Sequence, residues 1–298
     1  MKQLPTLLIT GATGFTGQHA CTYFARAGYD VTAVSRNPIL HNQIKAVQCN
    51  LTDKESVENL VKNTKPQFLL HLAGQNHVGQ SWSDPVSTLE ANFISTLYLI
   101  DAIRKESSAC KTVIVGSALQ FDPSNISNLI HPYSFSKTLQ VLVAQAWAKL
   151  YKLHVVIAKP SNIIGPGNSN GICSILAKKI VGMEKNNTEK ILEVTNLRAQ
   201  RDFIDVRDVV SAYEILLKEG MSGEIYEISS GKSHSIEEVI NRLKGLSTIK
   251  FQTKSLVNVV NEEIFKIIPF KLLSLGWKPT ITLQSSLEDI LSYYRDNY

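Results

Sequence analysis

The sequence predicts an α/β protein with a doubly wound parallel sheet and a smaller C-terminal α/β lobe. Short apolar runs alternate with amphipathic stretches along the chain, which is the pattern of strands and helices in such folds. A glycine-rich turn directly follows the first apolar run. The chain of 298 residues is also long enough to bury one large core and to carry a smaller appended lobe.

The first predicted strand, residues 7–10, leads into the glycine-rich turn and then into a helix predicted over residues 19–27. In this turn Gly11 permits the tight bend, Gly14 lets a pyrophosphate approach backbone N–H groups at the helix N-terminus, and Gly17 allows close packing of the helix on the sheet. A plain glycine turn is the alternative interpretation. The context of strand, turn and helix favours a Rossmann-type dinucleotide site made by Gly11, Thr13, Gly14, Phe15, Thr16 and Gly17.

The spacing of these glycines, G-x-x-G-x-x-G, resembles that of the extended short-chain dehydrogenases/reductases, the NAD-dependent epimerase/dehydratase family. The resemblance implies an oxidoreductase that uses a nicotinamide cofactor. It also implies further cofactor contacts in segments beyond the glycine turn. These residues are Asn50 and Leu51, then Leu72, Ala73 and Gly74 after a strand predicted over residues 68–72, and Lys159 in a later Lys-Pro-Ser-Asn segment.

The end of the second predicted strand, residues 30–35, bears on the choice of cofactor. An NAD-selective site normally carries Asp or Glu here to bind the ribose 2′-hydroxyl, whereas Ser35 followed by Arg36 leaves room and positive charge for a 2′-phosphate. NADPH is therefore the expected cofactor, with NADH as the alternative. The competing interpretation is that Arg36 is a solvated loop arginine.

A tyrosine and a lysine one helical turn apart, Tyr133 and Lys137, form the predicted catalytic pair on a helix over residues 132–151. Side chains at i and i+4 share one helix face, so the Lys137 ammonium is expected to lower the pKa of Tyr133 and make it a proton donor and acceptor. This spacing also occurs by chance on surface helices. The family resemblance adds Ser117, after the strand at residues 111–115, as a hydroxyl that binds the substrate oxygen, and it assigns Tyr133 and Lys137 to the cofactor as well.

The two residues after Ser117 bear on the reaction type. Sugar-nucleotide 4,6-dehydratases of the family carry an acid and a base at this point, because elimination of water needs proton removal and donation. Here the positions hold Ala118 and Leu119, which transfer no proton. A 4-epimerase needs no such pair, but it retains its NAD, whereas Arg36 favours an exchangeable NADPH. Net reduction is therefore the expected reaction.

The stretch at residues 194–210 resembles the corresponding stretch of GDP-4-keto-6-deoxy-D-mannose reductases. By this resemblance Arg201 contacts the substrate diphosphate, with a pairing to Asp202 or Asp205 as the alternative. Asn162 and His77 are further candidate substrate residues, although His77 could equally be a solvated loop histidine.

The resemblance implies NADPH-dependent reduction of the C4 ketone of a nucleotide-linked 4-keto-6-deoxyhexose, from GDP-4-keto-6-deoxy-D-mannose to a GDP-6-deoxyhexose such as GDP-D-rhamnose. The alternatives are a UDP- or dTDP-linked substrate, an NAD-dependent nucleotide-sugar 4-epimerase, and an NADP-sensing regulator that is no enzyme. The expected domains are residues 1–165, which bind NADP with returning segments near 201–231, and residues 166–298, which bind mainly the nucleotide sugar.

Composition narrows the list of partners. The net charge of +5 is spread along the chain, so no nucleic acid is expected, and a nucleotide-sugar substrate fits better. Neither a membrane span nor a signal peptide is predicted, which makes the cytoplasm the expected location. The four cysteines have no C-x-x-C pair, so no metal site or disulfide is predicted and the thiols are expected in the core. The family resemblance implies a homodimer through helices at residues 85–104 and 132–151.

Overall fold

The computed structural model describes residues 4–37, 44–186, 189–257 and 266–297. Twelve strands lie in these ranges: β1 (Thr6–Thr10), β2 (Asp30–Ser35), β3 (Lys45–Gln48), β4 (Phe68–His71), β5 (Lys111–Val115), β6 (Val155–Pro160), β7 (Asn162–Ile164), β8 (Ile191–Val194), β9 (Gln200–Asp205), β10 (Ile225–Ile228), β11 (Ser233–Ser235) and β12 (Gln252–Ser255). The α-helices are α1 (Phe15–Arg26), α2 (Lys54–Thr64), α3 (Val78–Ser83), α4 (Pro85–Leu89), α5 (Ser95–Glu106), α6 (Pro132–Tyr151), α7 (Ile172–Lys185), α8 (Val206–Glu219), α9 (Ile236–Leu246), α10 (Phe270–Ser274) and α11 (Leu283–Asn297).

Seven strands form one large sheet in the order β10-β6-β5-β4-β1-β2-β3. The neighbours from β6 to β3 pair in parallel. From β1 the chain moves outward to β2 and β3, and it then returns to β4 on the other side of β1 and continues to β5 and β6. The strand order therefore reverses between β1 and β4, which is where open α/β sheets bind ligands. The predicted doubly wound parallel sheet is confirmed.

The strands of the large sheet form because their apolar runs are buried on both faces, as parallel strands require. In β1, Leu7, Leu8 and Ile9 are at most 1% exposed. Two clusters of core side chains pack between the sheet and the helices: one lies against α2 and α5, and the other against α5 and α6. All four cysteines are unpaired and buried, which confirms the prediction of reduced core thiols.

Several element boundaries differ from the sequence predictions. Helix α1 begins at Phe15 instead of residue 19, so that the last glycine of the turn already lies inside the helix. Strand β4 ends at His71, one residue early, and α8 begins at Val206 instead of residue 209. The helix predicted over residues 85–104 is interrupted by a π-helical segment, Glu90–Ile94, between α4 and α5. Boundaries depend on caps and local packing, which apolar periodicity does not encode.

The chain divides into two compact units. The first comprises Met1–Lys159 and Val210–Tyr226, and the second comprises Pro160–Val209 and Glu227–Tyr298. The first unit thus ends at Lys159, where the sequence suggested residue 165, and the returning segment is shorter than residues 201–231. Across the described ranges, no helix has the length and apolar composition needed to cross a membrane.

The second unit has its own core and two small sheets. One sheet has the order β11-β9-β7 and the other consists of β12 and β8. Apolar side chains of α7, α9 and α11 pack together, with Leu176, Ile240 and Ile290 at most 1% exposed. Around this core Glu184 on α7 accepts two hydrogen bonds from Arg295 on α11, at 2.9 and 2.7 Å. It also accepts from the backbone N–H of Thr248 at 3.0 Å.

We expect the Glu184–Arg295 pair to make the second unit sensitive to acid. The Arg295 guanidinium, helped by the Thr248 N–H, lowers the pKa of Glu184 from 4.5 to about 2. A depressed carboxyl pKa stabilises the fold fully above the unfolded value of about 4.5, and this contribution disappears as the pH falls towards about 2. Glu184→Gln should therefore lower the urea midpoint at pH 7, and the difference from wild type should shrink between pH 4.5 and 2.

The matched control for this prediction is Glu58→Gln. Glu58 pairs with Lys105 at 2.8 Å, but both side chains are more than a third exposed, so the substitution should change the midpoint little at any pH. A difference between Glu184→Gln and wild type that stayed constant down to pH 2 would contradict the assignment.

Candidate active site

The predicted cofactor residues of the first unit gather at one edge of the large sheet. Parallel strands bring their carboxyl ends to the same edge, and each candidate segment follows or ends such a strand. The glycine turn follows β1, and Ser35 ends β2 and is followed by Arg36. Asn50 and Leu51 follow β3, and Leu72, Ala73 and Gly74 follow β4. Ser117 comes two residues after β5, and Lys159 lies half-buried in β6.

The glycine turn is packed too tightly for side chains at two of its positions. Gly11 has φ +69°, and a Cβ added there would lie 2.7 Å from the backbone N of Ala73. A Cβ on Gly17 would lie 2.1 Å from the carbonyl oxygen of Gly11. The turn is closed by the N–H of Gly14, which donates to the Gly11 carbonyl at 3.0 Å. Glycine at positions 11 and 17 therefore lets the turn lie against both the β4 segment and α1.

The start of α1 offers backbone donors to an anion. Gly14 is the N-cap of α1, and within the described part of the chain no side chain caps this helix. The first N–H groups of an uncapped helix and its dipole attract phosphate. Thr13 and Gly14 are exposed, and Phe15 and Thr16 are half-buried. A glycine cradle that leads into an uncapped helix fits the pyrophosphate of a dinucleotide.

The ends of β2 and β3 provide the polar groups expected near the adenosine half of a dinucleotide. The buried Ser35 hydroxyl donates to the Asn37 carbonyl, and the Arg36 side chain is exposed. Asn50 accepts hydrogen bonds from both the N–H and the hydroxyl of Thr52, at 3.2 and 3.0 Å. The Asn50 oxygen thus already shapes its own turn, while Leu51 is buried.

The structure brings together the two candidate catalytic hydroxyls, those of Ser117 and Tyr133. Tyr133 lies in the first turn of α6 and is 7% exposed, and its phenol hydroxyl forms a hydrogen bond with the Ser117 hydroxyl. The Ser117 oxygen also accepts from the backbone N–H of Leu119 at 3.1 Å, which orients it. Two hydroxyls in contact can share one substrate oxygen.

The expected effect of Lys137 on Tyr133 is wrong for this structure. Burial raises the pKa of Tyr133, and the hydrogen bond from Ser117 only opposes this in part. The Lys137 ammonium instead donates to the carbonyl oxygen of Val115 at 2.7 Å and to Oε1 of Gln140. Burial lowers the pKa of Lys137 itself to about 7. Helical spacing put the two residues on one face but did not reveal these competing acceptors.

The candidate substrate residues occupy different places. Nδ1 of the exposed His77 accepts from the N–H of Gln80 at 3.1 Å and so caps α3. Asn162 on β7 donates to the carbonyl oxygen of Asp202 at 3.0 Å, and the exposed Arg201 lies on the neighbouring strand β9, where it donates to the Gln200 carbonyl at 2.6 Å. The substrate roles of all three remain predictions.

The carboxylates proposed as alternative partners of Arg201 are engaged elsewhere in the second unit. Asp202 accepts from Ser161 at 2.5 Å and from the backbone N–H of Ser230 at 2.9 Å. Asp205 accepts two hydrogen bonds from Arg207, both at 2.8 Å. These contacts favour a structural role for the two aspartates.

Two side chains that shape the start and the interior of α6, His131 and Gln140, were not predicted from the sequence. His131 is the N-cap of α6, with Nδ1 accepting from the N–H of Ser134 at 2.9 Å, and its ring lies 6.0 Å from that of Tyr133. Gln140 is fully buried three residues after Lys137. The signal that could have revealed Gln140 was its spacing, three residues after Lys137 on the same face of the helix.

The geometry matches a family of known proteins. The family model described as NAD dependent epimerase/dehydratase family matches residues 7–229, which includes the glycine turn, Ser117, Tyr133 and Lys137. The chain belongs to this family. As a member of the epimerase/dehydratase family it is an enzyme of the oxidoreductase type that uses a nicotinamide cofactor, so both of these predictions are confirmed.

Individual members of the epimerase/dehydratase family resemble the whole chain. The GDP-6-deoxy-D-mannose reductase of Pseudomonas aeruginosa is 30% identical over 301 residues, which cover 96% of each protein. The dTDP-D-glucose 4,6-dehydratase of Mus musculus is 25% identical over 321 residues, covering 98% of this chain and 89% of the relative. The solved structure of RMD from Pseudomonas aeruginosa complexed with NADPH has a TM-score of 0.85 and 28% identity, and covers 99% of this chain and 100% of that one.

Proposed function

We propose that the chain reduces the C4 ketone of GDP-4-keto-6-deoxy-D-mannose to a GDP-6-deoxyhexose such as GDP-D-rhamnose, with NADPH as reductant. The observation that carries the proposal is the Ser117–Tyr133 contact, followed in the chain by two residues that transfer no proton. A ketone reduction needs one positioned proton donor and one further oxygen-binding group, whereas a dehydration needs an additional acid and base. The resemblance to a GDP-6-deoxy-D-mannose reductase supports the same reaction.

The acidic residue that comes next after Ser117 does not supply the missing acid or base. Asp122 is exposed, and its Oδ1 accepts from both the N–H and the hydroxyl of Ser124, at 2.9 and 2.7 Å. These bonds lower the pKa of Asp122 and hold it in a turn of its own. This arrangement supports reduction over dehydration.

In the proposed mechanism, bound NADPH supplies the hydride that reduces C4. Tyr133 donates the proton that converts the ketone oxygen into a hydroxyl, and Ser117 shares the negative charge that develops on this oxygen. Burial raises the pKa of Tyr133, so its phenol carries the required proton at neutral pH. Lys137 lies one helical turn away, and we assign it to hold the nicotinamide ribose. Solvent then restores the proton to Tyr133.

The preference for NADPH is tested at Arg36. The exposed, planar guanidinium of Arg36, directly after β2, can form paired hydrogen bonds with the oxygens of a 2′-phosphate. Arg36→Ala should raise the KM for NADPH roughly 10-fold to 100-fold, as expected for one lost charged hydrogen bond, and leave the KM for NADH nearly unchanged. Arg26→Ala, at an exposed arginine in the last turn of α1, should change neither value. Equal losses with both cofactors in Arg36→Ala would remove the basis for NADP selectivity.

For the nucleotide part of the substrate, we assign Asn162 and Arg201 to the diphosphate. Both are exposed polar side chains on adjacent strands of the small sheet β11-β9-β7, and a planar guanidinium suits phosphate oxygens. His77 is assigned to the sugar, because its Nε2 is not the ring nitrogen that caps α3.

The decisive experiment measures NADPH oxidation with freshly prepared GDP-, UDP- and dTDP-linked 4-keto-6-deoxy sugars, and identifies each product by NMR. We expect turnover with the GDP sugar, with C4 reduced and the configuration of the other sugar carbons unchanged. Faster turnover with the UDP or dTDP sugar would show that the natural substrate carries uracil or thymine in place of guanine. If the protein instead holds NAD tightly and interconverts 4-epimers without added reductant, the activity is epimerisation and not reduction. NADPH binding without turnover of any sugar would favour an NADP-sensing regulator.

We also propose that the protein is a homodimer whose interface includes α6 and the helices that precede it. Large apolar side chains are exposed on these elements, including Trp82 at 64%, Val86 at 63% and Leu150 at 67%. Large exposed apolar side chains become buried when two copies associate through such a surface. Light scattering should give twice the chain mass of 33.1 kDa, and Leu150→Glu should shift the measured mass towards that of one chain.

A further inference from the structure

The buried acceptor of the Lys137 ammonium is part of a longer chain of hydrogen bonds. Lys137 is 6% exposed, and two of its three N–H donors are directed to the Val115 carbonyl and to Oε1 of Gln140. The other end of the Gln140 amide donates through Nε2 to Oγ1 of Thr96 at 2.8 Å. Gln140 thus connects the ammonium to a residue of α5.

From Thr96 the chain continues towards the glycine turn. Nε2 of the fully buried His71, at the end of β4, lies 2.8 Å from Oγ1 of Thr96, and its Nδ1 lies 2.7 Å from Oγ1 of Thr10 at the end of β1. The Thr10 oxygen in turn accepts from the N–H of Ala73 at 3.3 Å. The polar chain therefore runs from α6 and α5 to the ends of β4 and β1, the two strands between which the strand order reverses.

The direction of each hydrogen bond follows from the donors available. The one hydroxyl proton of Thr96 is used in the bond to the Asn92 carbonyl at 2.7 Å, so Thr96 can only accept from its other neighbours. His71 must then carry its proton on Nε2 and accept from Thr10 on Nδ1. For the same reason the NH2 end of Gln140 must face Thr96, which turns its carbonyl oxygen to Lys137.

We propose that Gln140 is a positioning residue for Lys137, and that Thr96 fixes the amide so that an acceptor always faces the ammonium. The effect of Gln140 on turnover rests on the proposed function, but the effect of Gln140 on the charge of Lys137 does not. Burial disfavours a charged lysine, and a hydrogen bond accepted from the ammonium favours it. Gln140 therefore stabilises the charged form of Lys137 at a place where few other groups do so.

The titratable side chains that face Lys137 do not provide this stabilisation. His71 on β4 is held neutral, because burial and, to a smaller extent, the charge of Lys137 lower its pKa to about 3. Tyr133, one turn earlier on α6, has a raised pKa and stays neutral near pH 7. Gln140 and the Val115 carbonyl are neutral acceptors, so the balance between burial and hydrogen bonding decides the charge of Lys137.

The test follows the titration of Lys137 directly in the protein without cofactor or substrate. The Cε signals of 13C-labelled lysines are recorded by NMR over pH, and Lys137→Met identifies the signal. Gln140→Met keeps the shape of the side chain but removes the acceptor. We expect it to lower the Lys137 midpoint by about one pH unit, the equivalent of one hydrogen bond to a charged group.

The matched control is Gln145→Met, the same substitution on the same helix. Gln145 donates to the carbonyl oxygen of Gly223 at 3.1 Å and does not contact Lys137, so the midpoint should stay at its wild-type value. An unchanged midpoint in Gln140→Met, or an equal shift in Gln145→Met, would overturn the proposal. If Gln140→Met does not fold, Gln140→Glu serves instead. It keeps the acceptor and adds a negative charge, so it should raise the midpoint, and no rise would count against the proposal.

Turnover gives a second readout. With the substrate that the protein turns over, the alkaline limb of the pH profile of kcat should shift to lower pH by about one pH unit in Gln140→Met. The KM for the sugar should stay nearly unchanged. Thr96→Val should give a smaller shift of the same sign, because it frees the amide to rotate. A shifted Lys137 midpoint in a protein that reduces no keto sugar would leave the positioning role intact and refute the proposed function alone.

Discussion

Tyr133→Phe is expected to abolish reduction of the keto sugar while NADPH binding stays nearly intact. The substitution removes one oxygen from a side chain that is 7% exposed, and with it the proposed proton donor that Ser117 contacts. General acid catalysis contributes roughly 10²-fold to 10⁴-fold, so kcat should fall by about this factor. The measurement combines steady-state rates with a fluorescence titration of NADPH.

The control for Tyr133→Phe is the same substitution at Tyr213. Tyr213 on α8 is fully buried, and its hydroxyl has no hydrogen-bond partner among the described residues. Removing a buried hydroxyl without a partner should leave kcat unchanged and keep or raise the melting temperature. Wild-type activity in Tyr133→Phe would refute the assigned proton donor, whereas loss of activity in both variants would indicate a general effect of packing.

Gly17→Ala is expected to weaken NADPH binding strongly and to destabilise the first unit. The added Cβ would lie 2.1 Å from the Gly11 carbonyl and 2.8 Å from Cα of Ala12, and both are backbone atoms that cannot rotate away. Overpacking of this kind costs about 1–3 kcal/mol, and the displaced turn no longer presents its N–H groups to the pyrophosphate. We expect a lower melting temperature and at least a tenfold weaker affinity for NADPH.

The control for Gly17→Ala is Gly182→Ala, also inside a helix. A Cβ at Gly182 on α7 would meet no atom within 4 Å, so alanine should stabilise this helix by about 0.5–1 kcal/mol and leave NADPH binding unchanged. Normal NADPH affinity in Gly17→Ala would contradict the role of the glycine turn.

Much of the first unit could be predicted because its signals are local in the sequence. Strands β2 and β5 have the predicted boundaries, and α6 begins and ends where Pro132 and the apolar pattern predict. The helix α1 was predicted too short, because Phe15 and Thr16 were assigned to the turn. A helix start depends on which N–H groups find partners, and this is decided by the surrounding backbone.

The sequence by itself determined the family, the parallel sheet and the identity of the groups that could do chemistry: the glycine turn, Ser117, Tyr133 and Lys137. These depend on residue type and short spacing, which a single chain displays directly. The tertiary structure alone decided the charge and contacts of those groups. Burial raises the pKa of Tyr133, and Lys137 bonds to Val115 and to Gln140. Desolvation and hydrogen bonding depend on which distant segments pack together, and spacing along one helix does not encode this.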